Sequence, residues 1–235
     1  MLRKSFQAVF IVSSAILMVV VRPAFADAPK EMWEEPSHQL VFEKGTTRIL
    51  DIRVVPGVVS EYHSHRFATA YVIVQDARVN SQRTGGDWVD LSSRDRRPAG
   101  AINDRADYLA KPYVHRVDNI DDRTLHLVAV VNSAALTSDE PIELTPEGDR
   151  LDNPYFAEHR YSVAANGRSE QLRFDNETLV VQAHAGPSHI LEDGVSHSSG
   201  TAPGAWSWHA PGTAYRIVNN SDDAREFVVL EIKTP

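Results

Sequence analysis

Past its first thirty residues, the chain is written in short apolar runs of β type. "RILDIRVV", "AYVIVQDARV", "TLHLVAVVN", "TLVVQAHA" and "EFVVLEIK" are rich in Val, Ile, Leu and Tyr and are short enough for strands. Between them stand turn formers: "PGVV", "RTGGDW", "NIDD", "APGT" and "NNSDD". No long stretch has helical periodicity. The one weak helical candidate is "TPEGDRLDNPYFAEHRYS". The pattern predicts an all-β protein.

The runs also repeat. "PYVHRVDNIDDRTLHLVAVV" matches "GTAYRIVNNSDDAREFVVLEI" as a turn, an aromatic or His, Arg, an acidic turn and a closing apolar strand. "AYVIVQDA" has its counterpart in "ETLVVQAHA", and Gly57 in Gly167. Pro141, Pro146 and Pro154 interrupt the middle, placing a linker at about 135–158. Two β units follow, 40–135 and 158–235, each the size of a small sandwich or barrel.

The N-terminus has a different composition. Arg3 and Lys4 precede an apolar run from Phe6 to Val21, and Ala24-Phe25-Ala26 follows. That order is a secretory signal peptide, residues 1–26, cut after Ala26. The expected location is periplasmic or secreted, with no membrane association after cleavage. Loss of Arg3, Lys4 and Arg22 takes the net charge from −8 to −11. Such a chain is repelled by nucleic acid and by anionic membranes. The chain has no cysteine, which excludes disulfides, thiolate ligands and a cysteine nucleophile.

Candidate chemistry sits in "EYHSHRFATA". On a strand, residues two apart share a face, so His63 and His65 point together, and Glu61 with them. Imidazole suits zinc, copper, iron and nickel. The frame around the pair carries more. Gly57, five residues, His63, one residue, His65 begins like the first cupin motif, and His115, three residues, Asn119 ends like the second. The chain from about 40 to 235 resembles the cupin superfamily, and the repeat makes it resemble a bicupin.

That resemblance implies two jelly-roll barrels in tandem after the signal peptide. It also implies a divalent metal held by His63, His65 and His115. The glutamate usual in the family is replaced by Thr69 or Ala70, and Asp76 or Ala77 stands in place of the closing glycine. The first barrel therefore resembles three-histidine cupins, which include iron(II) dioxygenases. Glu61 is the alternative fourth ligand, from the other side of the pair. Iron(II) is the first expectation for the metal, with zinc, manganese, nickel or copper as alternatives. Tyr71 and Tyr113 are candidate pocket residues. The partner implied is a small anionic substrate or ligand, and a homodimer is compatible with the sequence.

In the second unit, Gly204, Ala210, Gly212, Tyr215 and Asn219 keep the second-motif frame, with Tyr215 replacing the histidine. His184, His189, His197 and His209 fall outside motif positions. This unit resembles a cupin that has lost its metal site. Two functions follow from the reading: a dioxygenase-like enzyme, or a non-catalytic module that holds a small ligand or metal.

Overall fold

The structure, a computed structural model, describes residues 29–136, 143–146 and 149–234. The leader of residues 1–26 lies outside the described residues. Ten strands come from the first half: β1 (Lys30–Glu31), β2 (His38–Lys44), β3 (Thr47–Val54), β4 (His63–His65), β5 (Ala68–Gln75), β6 (Val79–Arg83), β7 (Trp88–Asp90), β8 (Ile102–Asp104), β9 (Tyr113–Asn119) and β10 (Leu125–Asn132). They form two five-stranded sheets, β1-β4-β9-β6-β7 and β2-β3-β10-β5-β8. Seven strands come from the second half: β11 (Phe156–Val163), β12 (Glu177–Gln182), β13 (Ser188–Glu192), β14 (Val195–Gly200), β15 (Ala205–His209), β16 (Tyr215–Asn219) and β17 (Arg225–Ile232). They pair as β11-β17-β12-β15 and β14-β13-β16.

The expected all-β class is what the structure has. The helical candidate is the exception. Its "FAEHRYS" portion lies in β11, which pairs along its whole length with β17. The neighbouring strand supplies the bonds that local sequence could have met in a helix, a case of tertiary context overriding weak propensity.

Period-two alternation explains where the core lies. β5 is buried at seven of its eight positions because both its faces are covered. Ala68, Ala70, Val72 and Val74 pack outward against Leu179, Val181, Val228 and Leu230 of the second half. Tyr71 points the other way, into the first barrel with Leu50, Ile52 and Ala129. β17 divides likewise: Val228, Leu230 and Ile232 face the first half, while Phe227 and Val229 fill the second barrel. Three apolar layers result, one inside each barrel and one between them. Trp206 and Trp208 join the middle layer, against Phe42. Gly204 closes the same contact. A Cβ there would lie 2.6 Å from His126 Cε1, and its φ of +84° is one that side chains rarely adopt.

The sequence repeat is a structural repeat. Asn119 ends β9 fully buried, donating from Nδ2 to the carbonyls of Val54 and Arg123 and accepting from the Asp121 N–H. Asn219 ends β16 fully buried, donating to the carbonyls of Val163, Ala164 and Asp223 and accepting from the Ser221 N–H. Each asparagine ties the turn after its strand to the barrel. The same register sets the site, because β4 pairs with β9 so that His63 lies directly opposite His115.

Candidate metal centre

Strand pairing brings the three predicted histidines together. His63 and His65 project from one face of β4, and His115 enters from β9 beside them. All three centroid-to-centroid distances are 4.8 Å. Imidazoles bound at about 2.1 Å in mutually perpendicular positions would have centroids about 4.6 Å apart. The Nε2 atoms of His65 and His115 are 2.9 Å apart, close to the roughly 3.0 Å expected of two adjacent ligands at that bond length. Candidate ligand atoms of the three residues all fall within 4.8 Å of one another. Three imidazoles gathered this closely can supply three ligands to one ion.

The outer contacts agree. His63 Nδ1 donates to the Glu61 carbonyl at 2.8 Å, and a carbonyl can only accept. His65 Nδ1 lies 3.0 Å from Tyr71 Oη, and His115 Nδ1 lies 3.1 Å from Ser81 Oγ. With each Nδ1 carrying the proton, all three Nε2 lone pairs are free. Metal-binding histidines are held in this way, by a second partner on the other nitrogen. In that tautomer the lone pairs of His65 and His115 converge, which a shared cation satisfies. The donor set therefore fits a divalent ion.

Burial keeps the rings neutral, the form that binds metal. It lowers the pKa of His63 to about 4. It takes His65 and His115 well below the usual value of 6.5, with neighbouring histidines and Arg105 adding to the effect. A stability prediction follows. Above pH 6.5 the folded and unfolded chains both hold these histidines neutral. Between 6.5 and about 4 the unfolded chain binds more protons, so folding stability rises with pH across that window. The urea midpoint of metal-free protein is expected to be level above pH 6.5 and to fall as the pH drops toward 4. A level midpoint from pH 7 to 4.5 would contradict this.

The cluster lines a cavity of about 450 Å³. Tyr71 and Tyr113, the two predicted pocket residues, both line it. Glu61, the alternative fourth ligand, stays outside the cluster. β4 begins at His63, so the alternation that placed Glu61 on the same face does not extend back to it. Its exposed carboxylate pairs with Lys30 instead.

Several lining residues gave no signal in the sequence. His38 packs its ring 4.6 Å from His63, and Tyr108 lies 4.9 Å from His65. Arg105 forks onto Asp107 at 3.0 and 3.1 Å and stacks 4.2 Å above Tyr108. Arg94 and Arg97, in a stretch that reads as a solvated loop, line the cavity and share the buried carboxylate of Asp76. His38 opens β2, and the others come from loops and a 3₁₀ segment, where no period announces direction.

The second barrel holds no such triangle among its described residues. Tyr215 occupies the place of His115 and hydrogen-bonds Thr178 at 3.1 Å. His209 stacks on it at 3.9 Å, with Nδ1 donating to Glu192 and Nε2 accepting from Ser207. Both nitrogens of that buried histidine are satisfied within the barrel.

No family model matches the sequence, and no curated protein is similar to it. Solved structures are similar in fold. AerE from Microcystis aeruginosa is 11% identical, over 84% of this chain and 93% of that one, with a TM-score of 0.56. A cupin 2 conserved barrel domain protein from Leptotrichia buccalis is 11% identical, over 88% and 92%, with a TM-score of 0.51. Salicylate 1,2-dioxygenase from Pseudoaminobacter salicylatoxidans, solved with gentisate, is 10% identical, over 80% and 68%, with a TM-score of 0.54. The chain shares their fold, two cupin-like β-barrels in tandem. At these identities the likeness concerns the fold. The chain's chemistry rests on its own residues, and among the described residues its three-histidine cluster occupies the first barrel.

Proposed function

We propose that the bicupin binds one divalent metal through His63, His65 and His115 and acts as an oxygenase-like enzyme on a small anionic molecule. The observation that carries this is the equal-sided imidazole triangle with every Nδ1 tied outward. Three neutral ligands leave the ion's full charge uncompensated and leave coordination positions open, which suits an anionic chelating substrate. A metal so held would supply Lewis acidity and, if iron(II), access to dioxygen chemistry.

The chain's own residues would bind and orient the substrate. Arg105 is held in one pose by Asp107 and the Tyr108 ring, so its remaining N–H groups are preorganised for a carboxylate. Burial raises the Tyr108 phenol to about 12 and Tyr71 well above 10. Both therefore stay protonated at neutral pH. Tyr71 holds His65 and hydrogen-bonds Tyr108, and both residues line the cavity. Leu125, Leu127 and Val54 supply apolar wall. The leader pattern of residues 1–26 supports export to the periplasm or beyond.

Oxygen uptake by the iron(II)-loaded protein, with a panel of phenolic acids, β-diketones and thiols, tests the enzyme reading. Consumption with at least one carboxylate substrate, lost in Arg105→Met, is the expected result. Metal binding without uptake across the panel would leave a non-catalytic ligand-binding bicupin.

A further inference from the structure

We propose that His38 is a positioning residue of the metal centre, wedged against His63 by a strap that the chain forms from Lys30 to His38. The inference rests on the reading of the three imidazoles as ligands, and it adds a segment upstream of the cupin motifs to the site.

The strap is built onto the ligand strand. β1 pairs in parallel with β4, Lys30 against His63 and Glu31 against Ser64. Two ion pairs bracket the ligands: Lys30 with Glu61 on one side, Glu31 with Arg66 on the other. Met32 then drops fully buried into the first barrel's core. The chain makes one 3₁₀ turn and returns to place His38 in the cavity wall, 6% exposed. Its Nδ1 donates to the Met32 carbonyl at 2.7 Å, fixing the ring's rotation. The ring meets His63 at 4.6 Å and 75°, edge to face.

His63 needs this wall more than its two companions do. His65 and His115 lean on Tyr71 and Ser81, side chains rooted in β5 and β6. The partner of His63 is the carbonyl of Glu61, in the loop that precedes β4. A loop carbonyl restrains the ring in one direction only. The edge of His38 restrains it in a second.

His38 is not placed as a fourth ligand. In a three-ligand face, a fourth imidazole would lie at the same spacing from two of the three. His38 makes a ring contact with His63 and with neither His65 nor His115.

The test reads His63 directly. Imidazole ¹⁵N–¹H correlation spectra of the metal-free protein report its tautomer, and copper(II) titration with electron paramagnetic resonance reports the loaded site. In the parent, His63 is expected as a single Nδ1–H tautomer with one copper species. In His38→Ala, the His63 signals average between tautomers, copper gives a broadened or second species, and a chelator removes copper about tenfold faster, the low end for loss of an outer contact. His38→Phe keeps a ring edge and is expected to restore the parent spectra. His38→Gln keeps a donor for Met32 without the ring, and is expected to behave as the Ala variant if that one fails to fold. Unchanged His63 signals in both ring-less variants would overturn the proposal, even with a lowered melting temperature. A parent that takes up no copper would overturn the metal reading instead, and the tautomer comparison would still decide the role of His38.

Discussion

Asn119→Ala is expected to lower folding stability by about 3–5 kcal/mol, and Asn219→Ala by a similar amount. Each side chain is fully buried and makes at least three hydrogen bonds to backbone groups. Truncation takes a partner from two carbonyls and one N–H at Asn119, and from three carbonyls and one N–H at Asn219, at about 1–3 kcal/mol for each group left unsatisfied where water cannot reach. Partial relaxation and entry of water bring the sum into the stated range. Asn→Asp is expected to fare little better, since a carboxylate cannot donate to the carbonyls of Val54 and Arg123. Urea denaturation of the metal-free protein measures this directly. A loss below about 1 kcal/mol in both variants would show that these turns are not anchored as described. The two sites lie in separate barrels and share no partner, so the double variant is expected to lose roughly the sum.

His115→Ala is expected to weaken metal binding by more than about 100-fold, beyond the upper end of what loss of an outer-shell contact does. It removes one corner of the triangle and leaves the Ser81 hydroxyl facing a void. Ser81→Ala keeps all three imidazoles and frees the His115 ring to rotate, so a smaller loss of about 10-fold to 100-fold is expected. His209→Ala, in the second barrel, is expected to leave affinity unchanged while costing stability through Glu192 and Ser207. Competition against a chromophoric chelator orders the three variants. Equal affinity in parent and His115→Ala would remove His115 from the metal site.

Much of this molecule is legible in its sequence because strands have a strict period. "AYVIVQ" reads as a strand, and the structure buries one face of it in the first barrel and the other between the barrels. His63, His65 and His115 are findable for the same reason. Two lie on one face of a strand, and the third stands at fixed spacing from an asparagine that ends its own strand.

What the sequence did not disclose lies where no period operates. Glu61 sits two residues before His63 but also before the strand, so alternation did not govern it. The spacing marks Asn119 as a motif position but not its anchoring role, which comes from its fully buried side chain bonding the main chain around the turn. His38 lies 25 positions upstream of His63 and reaches it through a parallel pairing of two residues, too short to leave a pattern. Arg94 and Arg97 look like solvent charges until Asp76 is known to be buried beneath them.

The central claim is that the first barrel is a metal centre and the second is not. Metal analysis of the protein, purified without chelators from metal-replete medium, tests it most directly. The account predicts one divalent ion per chain, absent when His63 and His115 are both replaced by alanine and retained when His197 and His209 are. A parent protein that stays metal-free after incubation with excess iron(II), zinc, manganese, nickel and copper, each alone, would contradict it.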